Sequence, residues 1–373
     1  MRVAIVHNAY GKPSGEETAI ETQAALLQAR GHSVVRFQRS SAEIETMMFG
    51  NARAFFTGIC NPAARRAFAR FLDRERPDVI HVHNLFPLIS PAILAECRRA
   101  PTVMTLHNFR LICPNALLLR NGRLCRDCLG GREYRCVLHN CERNFSKSLG
   151  YALRTAFARR SGLLDNVRRF ICLTAFQRDL FVREGFPAEK MVVIPNAIPP
   201  VWLREPPHEG GEFVGYVGRI SPEKDVPTLL EAARRLPDLP FKLAGSHWRM
   251  PELLRAAPPN VELVGHLDTE PLRAFYRRMR VLVFATRCYE NFPVTLLEAM
   301  AQDIPIVCAR IGGLPEIVEG AFYEPGNAAD LAARIQACWN AAVPAVSGRE
   351  KALREYHPDV VARRLEAVYD DVR

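Results

Sequence analysis

The feature that most constrains what this 373-residue chain can fold into is the alternation of its apolar patterns. Strand-like runs at VAIVH, SVVRF, DVIHVH, TVMTLH, RFICLT and MVVIPN are separated by helical patterns around Ala19 to Ala29, Ala63 to Leu72, Ser148 to Arg160 and Phe176 to Glu184. Alternation of this kind predicts an α/β fold with a parallel, doubly wound sheet. The stretch PNAIPPVWLREPPHEGG, rich in Pro and Gly, then interrupts the pattern and reads as an interdomain linker. A second set of strands follows at EFVGYVG, FKLAGS, VELVGHL, VLVFAT and PIVCAR. With 48% of residues hydrophobic, the chain has ample material for two buried cores.

Two segments of the second half carry chemistry. In VGYVGRISPEKD a strand ends at Gly218 and is followed by Arg219 and, five residues on, by Lys224, which puts two cations on the loop leaving a strand. In ENFPVTLLE the carboxylates Glu290 and Glu298 bracket an apolar run. A helix beginning near Pro293, whose fixed φ suits a first turn, places Glu290 in the preceding loop and Glu298 about one and a half turns inside. Backbone amides at such a terminus attract anions, and carboxylates accept hydrogen bonds from hydroxyls. The set suits a phosphorylated, hydroxyl-rich ligand such as a nucleotide sugar.

Together with PIVCARIGGLPEIVEG, which contains Gly312, Gly313 and Glu316, these segments resemble the retaining glycosyltransferases of the GT-B fold, specifically family 4, the group 1 glycosyl transferases. The resemblance extends over nearly the whole chain. It implies two Rossmann-like domains facing across a cleft, with a last helix, here PDVVARRLEAVYDDVR, crossing back onto the first. The expected domains are 1–198, which binds the acceptor, contains a Cys-rich insertion at 110–145 and receives the crossover helix at about 357–373, and 199–356, which binds the nucleotide sugar.

By the same resemblance, Gly218, Arg219 and Lys224 hold the donor diphosphate, with amides around Asn291, Phe292, Pro293 and Val294. Glu290 lies near the donor-sugar hydroxyls and Glu298 on the ribose. Residues from Gly245 to His247 and from Gly265 to Leu267 meet the base. The family's Gly-rich N-terminal loop maps onto YGKPSGEETA, with Gly11 and Gly15 letting backbone approach a phosphate, although Ser14-Gly15 stands where two adjacent Gly are usual. A cleft histidine maps onto His107, but the usual His-Asp pair is His107-Asn108 here, and the departure removes a nearby carboxylate. His83, nearer the end of its strand than His81, is a further candidate to line the cleft.

The expected catalytic set is therefore His107, Arg219, Lys224 and Glu290. No D-x-D sequence occurs to chelate a divalent ion on the diphosphate. The expectation is transfer with retained configuration, no catalytic divalent metal, and leaving-group charge met by cations and helix dipoles. The donor is a UDP- or GDP-type sugar, and the acceptor a glycan or lipid-linked molecule in cell-surface polysaccharide biosynthesis. Readings of other kinds are a GT-B type sugar-nucleotide epimerase and a zinc-containing nucleic-acid-binding protein. The second is disfavoured because the basic residues lack interleaved aromatics, so no nucleic-acid partner is expected.

Eleven cysteines are present, five of them within a short span as C-x11-C-x2-C-x7-C-x4-C, at Cys113, Cys125, Cys128, Cys136 and Cys141. A C-x2-C pair with flanking cysteines predicts a structural zinc site. Cys113, Cys125, Cys128 and Cys141 are the expected ligands, with Cys136 or His139 as substitute; an iron–sulfur cluster takes the same four thiolates. The N-terminus lacks the apolar run of a signal peptide, and no stretch approaches a membrane span, so a cytoplasmic location is expected. Residues 1–198 hold 29 Lys and Arg against 16 Asp and Glu, whereas the remainder holds 21 against 24. The basic surplus, which includes Arg154, Arg159, Arg160, Arg168 and Arg169, suggests either a solvated face or a peripheral site for the anionic inner leaflet, at about 1 kcal/mol per basic residue near the surface.

Overall fold

The computed structural model describes residues 1–12, 14–204, 210–246, 250, 252, 255–341 and 348–373. His247, one of the residues expected near the base, lies outside this set, as do linker residues 205–209. The chain divides into two compact units, one of Met1–Leu118, Cys125–Pro195 and Asp359–Arg373, the other of Leu119–Leu124 and Asn196–Pro358.

The first unit is built on six parallel strands: β1 (Arg2–Ala9), β2 (Ser33–Ser40), β3 (Val79–Val82), β4 (Thr102–Thr105), β7 (Arg169–Cys172) and β8 (Met191–Val193), in the order β2-β1-β3-β4-β7-β8. Register is set by Val3 against Val34 on one side and Val79 on the other. β1 is buried from Val3 to Ala9 and β3 along its whole length, the unbroken apolar pattern that helices on both faces demand. The helices start where the sequence supplies caps. Ser14 accepts a hydrogen bond from the Glu17 amide to begin Gly15–Ala29, and Asn61 accepts one from Ala64, followed by Pro62 at the first helical position, to begin Pro62–Glu75. The C-terminal helix Pro358–Val372 packs within this unit through Arg30–Glu366 at 2.7 Å, Arg169–Asp371 at 2.7 Å and the Tyr369 hydroxyl at 2.7 Å from His81 Nδ1.

The second unit carries a further six parallel strands: β9 (Phe213–Val217), β10 (Phe241–Ala244), β11 (Val261–Gly265), β12 (Met279–Phe284), β13 (Ile306–Ala309) and β14 (Ala321–Tyr323), in the order β11-β10-β9-β12-β13-β14. This is the Rossmann order. The small hairpin of β5 (Leu119–Arg120) and β6 (Arg123–Leu124) turns at Asn121-Gly122, both with positive φ, as a two-residue hairpin requires. In both sheets the direction of strand addition reverses once, between β1 and β3 in the first and between β9 and β12 in the second. Ligands of open α/β sheets bind at the carboxyl ends of the strands beside such a reversal.

Candidate functional site

In the second unit the reversal is where the motif residues gather. Arg219 and Lys224 follow β9, and Glu290 follows β12, the adjacent strand. Lys224 Nζ donates to Glu290 Oε1 at 2.6 Å, and the Thr286 hydroxyl donates to the same oxygen at 2.9 Å. Burial works against the charge on both partners. The attraction between them prevails, so Lys224 is held above its ordinary pKa and Glu290 below it. Arg219 pairs with Glu223 at 3.3 Å and keeps a mostly exposed side chain. Asp225, in left-handed conformation and fully buried, braces the loop by accepting from Arg287 Nε at 2.5 Å, the Thr228 hydroxyl at 2.7 Å and the Gly326 amide at 2.9 Å.

Close backbone approach makes glycine necessary at the floor of this region. Gly245, at φ 152°, would place a Cβ only 1.8 Å from the Gly218 carbonyl oxygen. Gly218, at φ 154°, donates to the Ala244 carbonyl at 3.0 Å. Leu267, beyond β11, is half-buried.

The helix after Glu290 runs Val294–Ala301, with Pro293 as its N-cap at φ −66° and ψ 124° and no side-chain cap. The proline thus precedes the first turn, one position earlier than the sequence suggests. Asn291 and Pro293 are half-buried, while Phe292 is buried and packs edge-on against Tyr356 with centroids 5.1 Å apart. Glu298 is buried and accepts from the Tyr276 hydroxyl at 2.9 Å. Burial raises its pKa to about 7, against the opposing pull of that hydrogen bond. Tyr276 rests against Trp202, centroids 4.9 Å apart. Its partnership with Glu298 was invisible in the sequence, because the two side chains come from different helices.

In the first unit four histidines form a stack at the sheet's carboxyl edge. His81 bonds the Thr105 hydroxyl at 2.7 Å and lies 4.2 Å, centroid to centroid, from His83. His83 Nδ1 is 2.8 Å from His107 Nε2, and His7 meets His83 edge-on. Burial lowers the pKa of His7 to about 4 and of His81 and His107 to about 3, so the stack is neutral near pH 7. No adjacent Asp follows His107, but the carboxyl group of Glu16 reaches the neighbouring Asn108. Burial raises its pKa, His7 and the Asn108 side chain act on it in the opposite sense, and the Tyr10 hydroxyl donates to it at 2.8 Å. Gly15 is the first residue of its helix, in no special conformation, whereas Gly11, at φ 72°, faces Ala42, which a Cβ would meet at 2.8 Å.

One expectation for this unit needs correction. Among the described residues no group of three or more His, Cys, Asp or Glu side chains is placed to hold a metal ion. The zinc site expected at Cys113, Cys125, Cys128 and Cys141, with Cys136 or His139 as substitute, is therefore not supported. The five thiols lie near enough to act on one another, but each also has other contacts. Cys128 and Cys136 sit in an apolar cluster with Ala152, against which Val137 and Cys141 pack, and Cys113 Sγ donates to Asn115 Oδ1 at 3.0 Å. Burial pushes the Cys113 thiol up to about 11 and Cys128 up to about 12, so both are neutral thiols. The arginines of the basic surplus are in part internal or paired, although Arg160 and Arg168 stay exposed. Arg154 is buried, Arg159 bonds the Glu184 carbonyl at 2.5 Å, Arg160 pairs with Glu133 at 2.8 Å, Arg168 bonds the Val372 carbonyl, and Arg169 pairs with Asp371. Among the described residues no helix is long and apolar enough to cross a membrane.

Comparison with known proteins matches residues 14–197 to the glycosyl transferase 4-like domain and residues 211–341 to the glycosyl transferases group 1. The chain is 28% identical over 325 residues to glycogen synthase of Mycobacterium tuberculosis, covering 81% of this chain and 71% of that protein. It is 25% identical over 199 residues to O-antigen chain mannosyltransferase B of Escherichia coli, covering 46% of this chain and 51% of that one. Among solved structures, Anabaena HepE in complex with UDP and glucose superposes with a TM-score of 0.66 at 16% identity over the full length of both chains. The two parallel-sheet units match the GT-B architecture of such neighbours, and the chain belongs to the family of group 1, GT4-like glycosyltransferases.

Proposed function

We propose that the enzyme transfers a sugar with retained anomeric configuration from a UDP- or GDP-type nucleotide sugar to a glycan or lipid-linked acceptor of cell-surface polysaccharide, without a catalytic divalent metal. The observation that carries this reading is the Lys224–Glu290 pair at 2.6 Å beside the strand reversal of the second sheet. Lys224 and Arg219 neutralise the departing diphosphate together with the first amides of Val294–Ala301. Both hydrogen bonds that Glu290 accepts from Lys224 and Thr286 fall on Oε1, which leaves Oε2 to accept from a donor-sugar hydroxyl. Glu298 accepts from the ribose. His107, neutral because buried, serves as a hydrogen-bonding partner for the reacting sugar rather than as a cation. The likeness to a UDP- and glucose-bound neighbour and to an O-antigen mannosyltransferase supports the donor and acceptor classes.

A thermal-shift panel of UDP, GDP, ADP and their sugars tests the donor. A rise in melting temperature with UDP or GDP, abolished in Lys224→Ala, is expected; no rise with any nucleotide would overturn the proposal. Activity that disappears with EDTA and returns with Mg²⁺ alone would refute the metal-free mechanism.

A further inference from the structure

The strand reversal of the first sheet, between β1 and β3, holds a feature that donor chemistry does not use. Arg154, on the helix Phe145–Arg160, is 4% exposed, and its Cζ lies 3.5 Å from the Tyr151 ring centroid and 4.9 Å from that of Phe86. Its Nε and Nη2 are buried with no hydrogen-bond partner among the described residues. Arg110, from the loop after β4, reaches the same Phe86 ring, with Cζ 5.7 Å from the centroid. Its Nε is likewise buried and unpartnered among the described residues, and its Nη1 is 3.5 Å from Asn84 Oδ1. Neither arginine forms an ion pair among the described residues. Of the nearby carboxyl groups, Glu142 pairs with Lys147 at 2.9 Å, while Glu16, which accepts from Tyr10 at 2.8 Å through Oε2 and is held toward its neutral form by burial, forms no ion pair with either arginine.

A buried guanidinium without an ion pair, as at Arg154, is costly, and the like charge of half-buried Arg110 beside it adds to the cost. Burial first, and the Arg110 charge second, push Arg154 down to about 9. Planar guanidinium forks match the oxygens of phosphate or carboxylate and bind them by paired hydrogen bonds. A dianion neutralises both charges at once, which favours phosphate. The stacking on Tyr151 and Phe86 fixes both forks before any ligand arrives.

We infer that Arg110 and Arg154 form a built oxyanion subsite that holds a phosphate monoester carried by the acceptor. This rests on the reading of the first unit as the acceptor-binding half. The acceptor is thus an anionic molecule, supplied by a reaction that phosphorylates it.

The test is calorimetric titration of inorganic phosphate into full-length Lys224→Gln protein, which lacks the main phosphate-binding cation of the second unit. Saturable binding is expected, weakened at least tenfold by adding Arg154→Gln or, independently, Arg110→Gln, with an unchanged circular dichroism spectrum. Arg154→Lys should recover part of the affinity. Failure of phosphate to bind, or equal affinity in the Arg110 and Arg154 variants, would overturn the subsite. Equal response to acetate would make the group a carboxylate and overturn the phosphate assignment. Displacement by UDP would give the arginines to the donor and overturn it too. Binding of a soluble sugar phosphate but not of phosphatidate vesicles identifies a soluble acceptor, and Arg154-dependent binding to the vesicles a lipid-linked one; either supports the subsite. Since the titration needs no donor, its failure leaves the transferase reading standing.

Discussion

The buried carboxyl of Glu298 makes the stability of the second unit depend on pH in a calculable way. Its pKa of about 7 in the folded protein, against an ordinary 4.5, corresponds to roughly 3 kcal/mol at about 1.4 kcal/mol per unit. The native state holds this proton more tightly than the unfolded chain, so between pH 4.5 and pH 7 it binds more protons and loses stability as pH rises. The penalty is small in acid and complete above pH 7. Glu298→Gln removes the titration and keeps an oxygen to accept from Tyr276. Relative to wild type, the variant should therefore gain about 2–3 kcal/mol on going from pH 5 to pH 8. Urea denaturation at each pH, with the slope m required to match between the two proteins, reads this difference directly; all other titrating groups cancel. A wild-type-to-variant difference constant within about 0.5 kcal/mol over that range would refute the argument. On the proposed role of Glu298 as the ribose acceptor, the same proton bears on the donor, because only the carboxylate accepts two hydroxyl hydrogen bonds fully. Nucleotide affinity should rise through pH 7 in wild type and stay flat in Glu298→Gln.

Lys224→Ala should abolish most turnover and destabilise the second unit by about 3 kcal/mol at pH 8, because it strands the Glu290 carboxylate. Since Lys224 holds that carboxyl below its ordinary pKa, the loss should shrink as pH falls through the carboxylate range; an equal loss at pH 4 and pH 8 would contradict the pairing. Gly245→Ala, whose new methyl would sit 1.8 Å from the Gly218 carbonyl oxygen, should cost about 3 kcal/mol or more through overpacking and backbone strain, measured by denaturant midpoint. Tyr369→Phe deletes a buried hydroxyl held 2.7 Å from His81 and should lower first-unit stability by about 1–2 kcal/mol; an unchanged midpoint would show that this hydroxyl adds nothing to the docking of the C-terminal helix.

What could be read from the sequence divides along physical lines. All the strands of the two sheets except β14 were legible, the central ones because a run buried on both faces must be apolar throughout, as Val3 to Val6 and Val281 to Phe284 are. Lys224 and Glu290 lie 66 residues apart, and only a familiar motif joined them; their contact follows from β9 and β12 being neighbours, which spacing does not reveal. Glu16 was missed for the same reason. The loop after β1 approaches the one after β4 across β3, so a carboxyl group far away in sequence comes up beside Asn108. Charge counting failed at Arg154, because a tally of Arg and Lys cannot separate a solvated side chain from one sealed between Tyr151 and Phe86. The cysteine spacing suggested metal, but whether neighbouring thiols take up a ligating arrangement depends on how Tyr134–Leu138 packs on Phe145–Arg160, a tertiary matter.

The two units treat their cations in opposite ways, and that contrast bears on function. In the second, each motif cation already has a carboxylate, Arg219 with Glu223 and Lys224 with Glu290. An anion binding there must share its cation, so its net gain is modest. That suits a diphosphate which is bound in the donor, becomes the leaving group, and has to depart. In the first unit Arg110 and Arg154 have no ion pair among the described residues, so an anion arriving there breaks none. Such a subsite gains more per contact and holds a group that the reaction leaves unchanged. It should therefore contribute to acceptor binding in the ground state and the transition state alike. Arg154→Gln is then expected to raise the acceptor KM while sparing kcat, the pattern of lost uniform binding; Lys224→Ala should depress kcat instead. An Arg154→Gln enzyme that lost kcat with its acceptor KM intact would refute this division of labour.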